Sequence, residues 1–147
     1  MKGFEIVFIP LTVGIIAQTT KFIIFSVKNG IKWNYFLTHG HMPSFHSAVA
    51  ASLATTIGFF EGIDTGVFAI SVVFALVIVD DALRVRMYLG DQGRYLNMLI
   101  QTLNLDQNKY PRLKEHVGHR ISEVAVGVIY GFLLTILLLF VIGLFSN

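Results

Sequence analysis

The sequence predicts an all-α integral membrane helical bundle: four transmembrane helices plus one amphipathic surface helix. Composition is the first ground. Of 147 residues, 54% are hydrophobic and 14% are charged, against about 25% charged in a typical soluble domain. The spread of apolar residues is the second. Three segments are long and nearly uncharged: Phe4 to Val27, Ser44 to Phe60 and Val124 to Phe145. A fourth, Thr65 to Val79, is apolar and runs into Asp80 and Asp81. A spanning helix needs roughly 20 residues, with about 17 as a lower limit. Four crossings is therefore the natural count, with helix three extended past Val79. The length fits one domain, residues 1–147.

Helix one contains Pro10 and Gly14, both tolerated in membrane helices. Its end turns polar at Gln18, Thr19, Thr20 and Lys21. Lys21 lies about 26 Å along the helix from Phe4, near the headgroup level. Lys2 and the apolar run after it mimic a signal peptide, but no small-residue cleavage site follows, so the segment reads as a retained helix. Residues 29–43 form a loop rich in Gly, His and aromatics, where Trp33 and Tyr35 suit the interface. Pro43 fits the first turn of helix two. Helix two carries Ala48, Ala50, Ala51, Ser52 and Ala54, and small residues allow close helix contact in lipid. The turn Glu61 to Asp64 is acidic and reads as a solvated loop. In residues 90–108 an apolar stripe of Tyr95, Leu96, Met98, Leu99 and Leu103 predicts an amphipathic helix on the membrane surface. Pro111 interrupts, and Leu113 to His119 leads into helix four.

Four spans place the 28–43 and 84–120 loops on one side of the bilayer. That side holds Lys28, Lys32, Arg84, Arg86, Arg94, Lys109, Arg112, Lys114 and Arg120; the opposite side holds Lys2. The positive-inside rule makes the basic side cytoplasmic. The chain has no cysteine, hence no disulfide framework and no thiolate zinc site. A net charge of +2 and the lack of an aromatic-basic strip give no reason to expect nucleic acid.

The chemistry-bearing residues cluster on the basic side. Ser44-Phe45-His46 opens helix two, where free backbone N–H groups and the helix dipole favour anions. The plain alternative is a capping serine beside an incidental histidine. His119 and Glu123 stand four apart on one helix face. A carboxylate on Nδ1 would fix the tautomer and leave Nε2 as a nucleophile; the alternative is a capping pair at a helix start. His116 reads as an interface residue. Asp80, Asp81, Arg84 and Arg86 close helix three. Asp81 and Arg84 would make a local ion pair, or Asp81 would hold a cation that binds phosphate. Carboxylates inside a span are rare and tend to be functional, which favours the second. His39-Gly40-His41 with His46 lacks the fixed ligand spacing of a metal site, so no metal is expected. Lys21 ends helix one, His46 begins helix two, Arg86 ends helix three and His119 begins helix four. A four-helix bundle brings such ends together.

Met42-Pro43-Ser44-Phe45-His46-Ser47, Asp81-Ala82-Leu83-Arg84-Val85-Arg86 and Gly118-His119 with Glu123 resemble the motifs of the divergent branch of the type 2 phosphatidic acid phosphatase superfamily, which also contains the vanadium-dependent haloperoxidases. That branch shows Met-Pro-Ser-x-His-Ser, Asp-Ala-x-x-Val-Arg and Gly-His-x3-Glu. Against the wider superfamily, Lys21-x6-Lys28 stands for Lys-x6-Arg, and His119-x3-Glu123 for His-x3-Asp. Phe45 replaces a glycine, Arg84 stands where the branch has glycine, and the Ser-Arg half of the third motif is missing. The resemblance spans nearly the whole chain.

The resemblance implies metal-independent hydrolysis of a phosphate monoester or diphosphate, with no cofactor. His119 would attack phosphorus and form a phosphohistidine, Glu123 would orient it, and His46 would act as general acid–base. Lys21, Lys28, Ser44 and Arg86 would hold phosphate oxygens, with Asp81 holding a phosphate-binding cation in place. Position at headgroup depth points to a phosphorylated lipid as substrate, in a bacterial plasma membrane with the site facing the cytoplasm. Three other readings stay open: a non-catalytic binder or carrier of phosphorylated lipid, a structural subunit, and a metal-dependent membrane enzyme. The small residues of helix two leave room for a homodimer.

Overall fold

A computed structural model describes residues 2–31, 42–106, 108–115 and 117–145. Trp33, Tyr35, His39, Gly40, His41 and His116 lie outside the described residues, as does the side chain of Lys28. The described residues are all helical or irregular: α1 (Lys2–Asn29), α2 (Phe45–Glu61), α3 (Gly66–Asp80), a π turn (Asp81–Val85), α4 (Arg86–Thr102) and α5 (Ile121–Phe145). α3, the π turn and α4 form one unbroken helix, so the described residues form four helical rods. Three are long and apolar enough to cross a membrane: Gly3–Val27, Gly66–Thr102 and Ile121–Gly143. The expected fourth, α2, has 17 residues, at the lower limit for a crossing. The extension of helix three past Val79 is present.

α2 is the axis of the bundle and packs on α1, α3 and α5. Close approach comes from residues that lack bulk. A Cβ on Gly127 would lie 3.0 Å from the Ser44 Cβ, and one on Gly131 would lie 2.7 Å from the Ala48 Cα. One turn on, Thr135 donates to the Ser52 Oγ at 2.6 Å. Gly127, Gly131 and Thr135 thus match Ser44, Ala48 and Ser52 in register, four residues per step, with the two helices running parallel. Backbones that approach this closely gain the packing that drives association in lipid. On the other flank Gly14 of α1 receives Val49 and the Phe45 ring, at 2.8 and 2.9 Å from where its Cβ would be.

The inward row of α1 is Ile9, Val13, Ala17 and Lys21, all buried and spaced four apart. With Ala48 and Leu139 the first three form the core. The outward faces carry large apolar side chains, among them Phe8, Ile15, Phe74, Leu76, Leu133 and Phe140, as contact with hydrocarbon requires. α3 buries Ser71 alone among its residues. The turn before it is exposed at Glu61 and Asp64, as expected, and Gly62 takes a left-handed φ of 98° there. Pro43 lies outside α2 rather than in its first turn, because Ser44 is the N-cap.

The expected surface helix differs from the structure in one respect. It does not start afresh near residue 90 but continues from α3, about 56 Å of helix in all over 37 residues. Its apolar stripe is exposed, as Tyr95, Leu96, Met98, Leu99 and Leu103 all show. The face it buries is Gly90, Gly93 and Asn97. This face holds backbone rather than apolar side chains, namely the segment 113–118 returning toward α5.

Candidate functional site

Two backbone hydrogen bonds between elements fix one end of the bundle. The Ser44 N–H, an orphan donor at the start of α2, donates to the Glu123 carbonyl of α5 at 3.2 Å. The His119 N–H donates to the Ala82 carbonyl in the π turn at 3.2 Å. The starts of α2 and α5 and the end of α3 are thereby stitched together, and the motif residues ride on these stitches. The site's framework is main chain, so it does not depend on the rotamers of the groups it presents.

Each predicted residue has a definite place. Lys21 is buried at the end of the inward row of α1, and its ammonium interacts electrostatically with the Glu123 carboxylate. Ser44 is fully buried. Its hydroxyl shares a hydrogen bond of 2.9 Å with the Ser47 hydroxyl instead of capping α2. His46 is half-buried on the first turn of α2, and its ring meets Phe45 edge-on at 5.3 Å. His119 is buried, 4% exposed. Thr20 of α1 and Tyr130 of α5 share a hydroxyl hydrogen bond of 2.8 Å.

The acidic-basic cluster resolves into two pairs. Arg84 pairs with Asp80 on the exposed side. Arg86 pairs with Asp81 at 2.7 Å, both half-buried. Of the two readings of Asp81, the local pair with Arg84 is therefore not the one formed. The cause is the π turn. Its backbone bond from the Arg86 N–H to the Asp81 carbonyl closes an i,i+5 ring, which puts residues five apart on one face. Asp81 thus holds Arg86, and the Ala82 carbonyl beside it holds the His119 backbone.

Glu123 does more than the sequence suggested. Its carboxylate accepts from the Arg120 N–H at 3.0 Å, and Arg120 precedes the first residue of α5. This is the reach-back half of a capping box. The capping alternative is therefore realised, with the same carboxylate facing Lys21 and the same residue's carbonyl holding Ser44. The site thus brings together Lys21, Ser44 and Glu123 on one side, and Asp81, Arg86 and His119 on the other. Lys28 lies nearly two turns beyond Lys21, roughly 10 Å farther along α1. Phe45, which stands where the motif has glycine, fills the notch at Gly14 and so helps hold α1 to α2. Asn97, Gly90 and Gly93 escaped the sequence reading, because small and polar residues carry no apolar signal.

Cations, hydroxyls and two histidines at the end of an apolar bundle define an all-α integral membrane protein with a polar site at one end of its helices. The chain belongs to the Divergent PAP2 family, which matches residues 4–134, in agreement with its motifs. It is similar to the "Uncharacterized membrane protein YuiD" of Bacillus subtilis (strain 168), 34% identical over 137 residues, or 84% of this chain and 87% of the relative. No solved structure matches it.

Proposed function

We propose that the chain is a single membrane-embedded phosphatase domain that hydrolyses a lipid phosphate or diphosphate through a phosphohistidine intermediate. One observation carries the reading: separate segments bring Lys21, Ser44, His119 and the Asp81–Arg86 pair to one end of the bundle, on two backbone stitches. In this mechanism His119 attacks phosphorus, and His46 protonates the leaving oxygen and then activates water. Lys21, Arg86, Ser44 and Lys28 stabilise the charge that develops on the phosphoryl oxygens, and Glu123 caps the start of α5, which follows His119. The reaction needs no metal or cofactor. The parallel run of α2 beside α5 supports α2 as a fourth crossing, and the excess of Lys and Arg places the site on the cytoplasmic side. A site at the end of apolar helices, at headgroup depth, favours a lipid over a soluble ester.

The test is phosphate release by purified protein in detergent, with EDTA present, on a panel of lipid phosphates and diphosphates. Vanadate and His119→Ala should each abolish release. A second reading, a non-catalytic binder or carrier of phosphorylated lipid, draws on Phe45, whose ring occupies the Gly14 notch where the motif has a bare glycine backbone. Lipid phosphate bound without turnover, and bound equally by His119→Ala, would select it.

A further inference from the structure

The segment from Leu113 to Gly118 is held along α4 at every step the structure describes. Asn97, 6% exposed, grips it like a second backbone: Nδ2 donates to the Leu113 carbonyl at 3.0 Å, and Oδ1 accepts from the Leu113 N–H at 3.0 Å. The same Nδ2 donates to the Glu115 carboxylate at 2.9 Å. One turn nearer the bundle, a Cβ on Gly93 would lie 2.7 Å from the Lys114 carbonyl oxygen. A further turn on, a Cβ on Gly90 would lie 2.5 Å from the Glu115 carbonyl oxygen. A Cβ on Gly118 would lie 3.0 Å from the Met87 nitrogen. The next residue is His119, bonded to Ala82.

We propose that the groove formed by Gly90, Gly93 and Asn97 on α4 is the device that places His119, with Asn97 as a positioning residue for the phosphatase reaction. The inference rests on the proposed function for its catalytic consequence. It rests on geometry alone for the position of His119. The described residues of the strap run antiparallel to α4, with the Lys114 and Glu115 backbones directly against Gly93 and Gly90, and end at the π turn, where His119 bonds to Ala82. Its length from the Asn97 clamp to the Ala82 stitch is therefore fixed. A nucleophile at the end of such a strap takes its position from α4, whose first residue, Arg86, is itself part of the site.

Asn97→Ala removes three hydrogen bonds, and Gly90→Ala pushes the Glu115 backbone outward; neither touches the reacting atoms. Gly66→Ala serves as control, since its Cβ meets nothing within 4 Å. Full-length protein in detergent is treated with diethyl pyrocarbonate, and modification of each histidine is followed by mass spectrometry. In both variants His119 should react about tenfold faster than in the wild type while His46 stays within about twofold, as local opening of the strap requires. On a turned-over substrate kcat should fall about 10²-fold, as a misplacement of order 1 Å can cause, with KM little changed. Unchanged His119 reactivity in both variants, or a parallel rise at His46, overturns the inference. If wild-type protein releases no phosphate, the phosphatase reading falls while the modification rates still decide the placement of His119. Asn97→Ser, which keeps a hydroxyl for the Leu113 N–H, is the milder variant should either of the others fail to fold.

Discussion

Gly131→Ala should be among the most damaging single-methyl additions in the chain. The new Cβ would fall on the Ala48 backbone, 2.7 Å from its Cα and 2.8 Å from its carbonyl carbon. Carbon atoms pack best at about 3.5–4.0 Å, so the helices must part by roughly 0.8 Å or more at that point. Backbone atoms cannot rotate aside, and overpacking of this kind costs about 1–3 kcal/mol. Parting the helices also lengthens the Thr135–Ser52 hydrogen bond, now 2.6 Å; such bonds average about 0.6 kcal/mol in membranes. Against this stands the gain of roughly 1 kcal/mol for alanine over glycine in a helix. Gly143→Ala in the same helix collects that gain without the clash, because nothing lies within 4 Å of its Cβ. The difference between the two variants should therefore be about 2–4 kcal/mol. Reversible unfolding in mixed micelles by SDS titration measures it. Equal midpoints for the two would refute the close-packed register of α2 on α5.

Four further outcomes follow from the same geometry. Thr135→Val should lose about 0.6 kcal/mol and at most about 1.7 kcal/mol in the same titration; no loss would show that Ser52 finds another partner. Arg84→Ala removes an exposed pair and should change stability by less than about 0.5 kcal/mol, whereas Arg86→Ala should lower phosphate release about 10²-fold; the reverse order would detach the Asp81–Arg86 pair from the site. Lys21→Met should lower turnover by about 10²-fold, and turnover at the wild-type rate would remove Lys21 from the phosphate-binding set. Phe45→Gly should cost about 2 kcal/mol, roughly half the loss for a fully buried phenylalanine, since the ring is half-buried against Gly14; a gain in stability would show that the notch packs better without it.

The parts of the fold written in apolar runs were legible in the sequence. α1 and α5 lie within a few residues of their expected bounds, and helix three extends past Val79. The features that escaped have a common physical character. The π turn leaves no compositional mark, so the sequence did not say which cation Asp81 holds; the extra backbone residue gives it Arg86. Gly90, Gly93 and Asn97 bury backbone against backbone, and a search for apolar stripes chooses the opposite face of the same helix. Gly127 and Gly131 sat unnoticed in the most apolar helix, since the partner they serve is an alanine-rich face far off in sequence. Glu123, by contrast, fills the capping role that the sequence offered as the alternative to a histidine partner.

The π turn also governs how the chain can tolerate change. Replacing an i,i+4 step by i,i+5 rotates all that follows by about 100° relative to a plain α-helix. That rotation lets one rod present its outer faces to lipid along α3 and its glycine groove to the strap along α4. Deleting Arg84 alone would keep every hydrophobic side chain and still turn the groove away from the strap. The 37 residues from Gly66 to Thr102 are thus a phase-locked ruler whose length matters more than most of its letters. Among relatives, insertions and deletions in this stretch should be far rarer than substitutions.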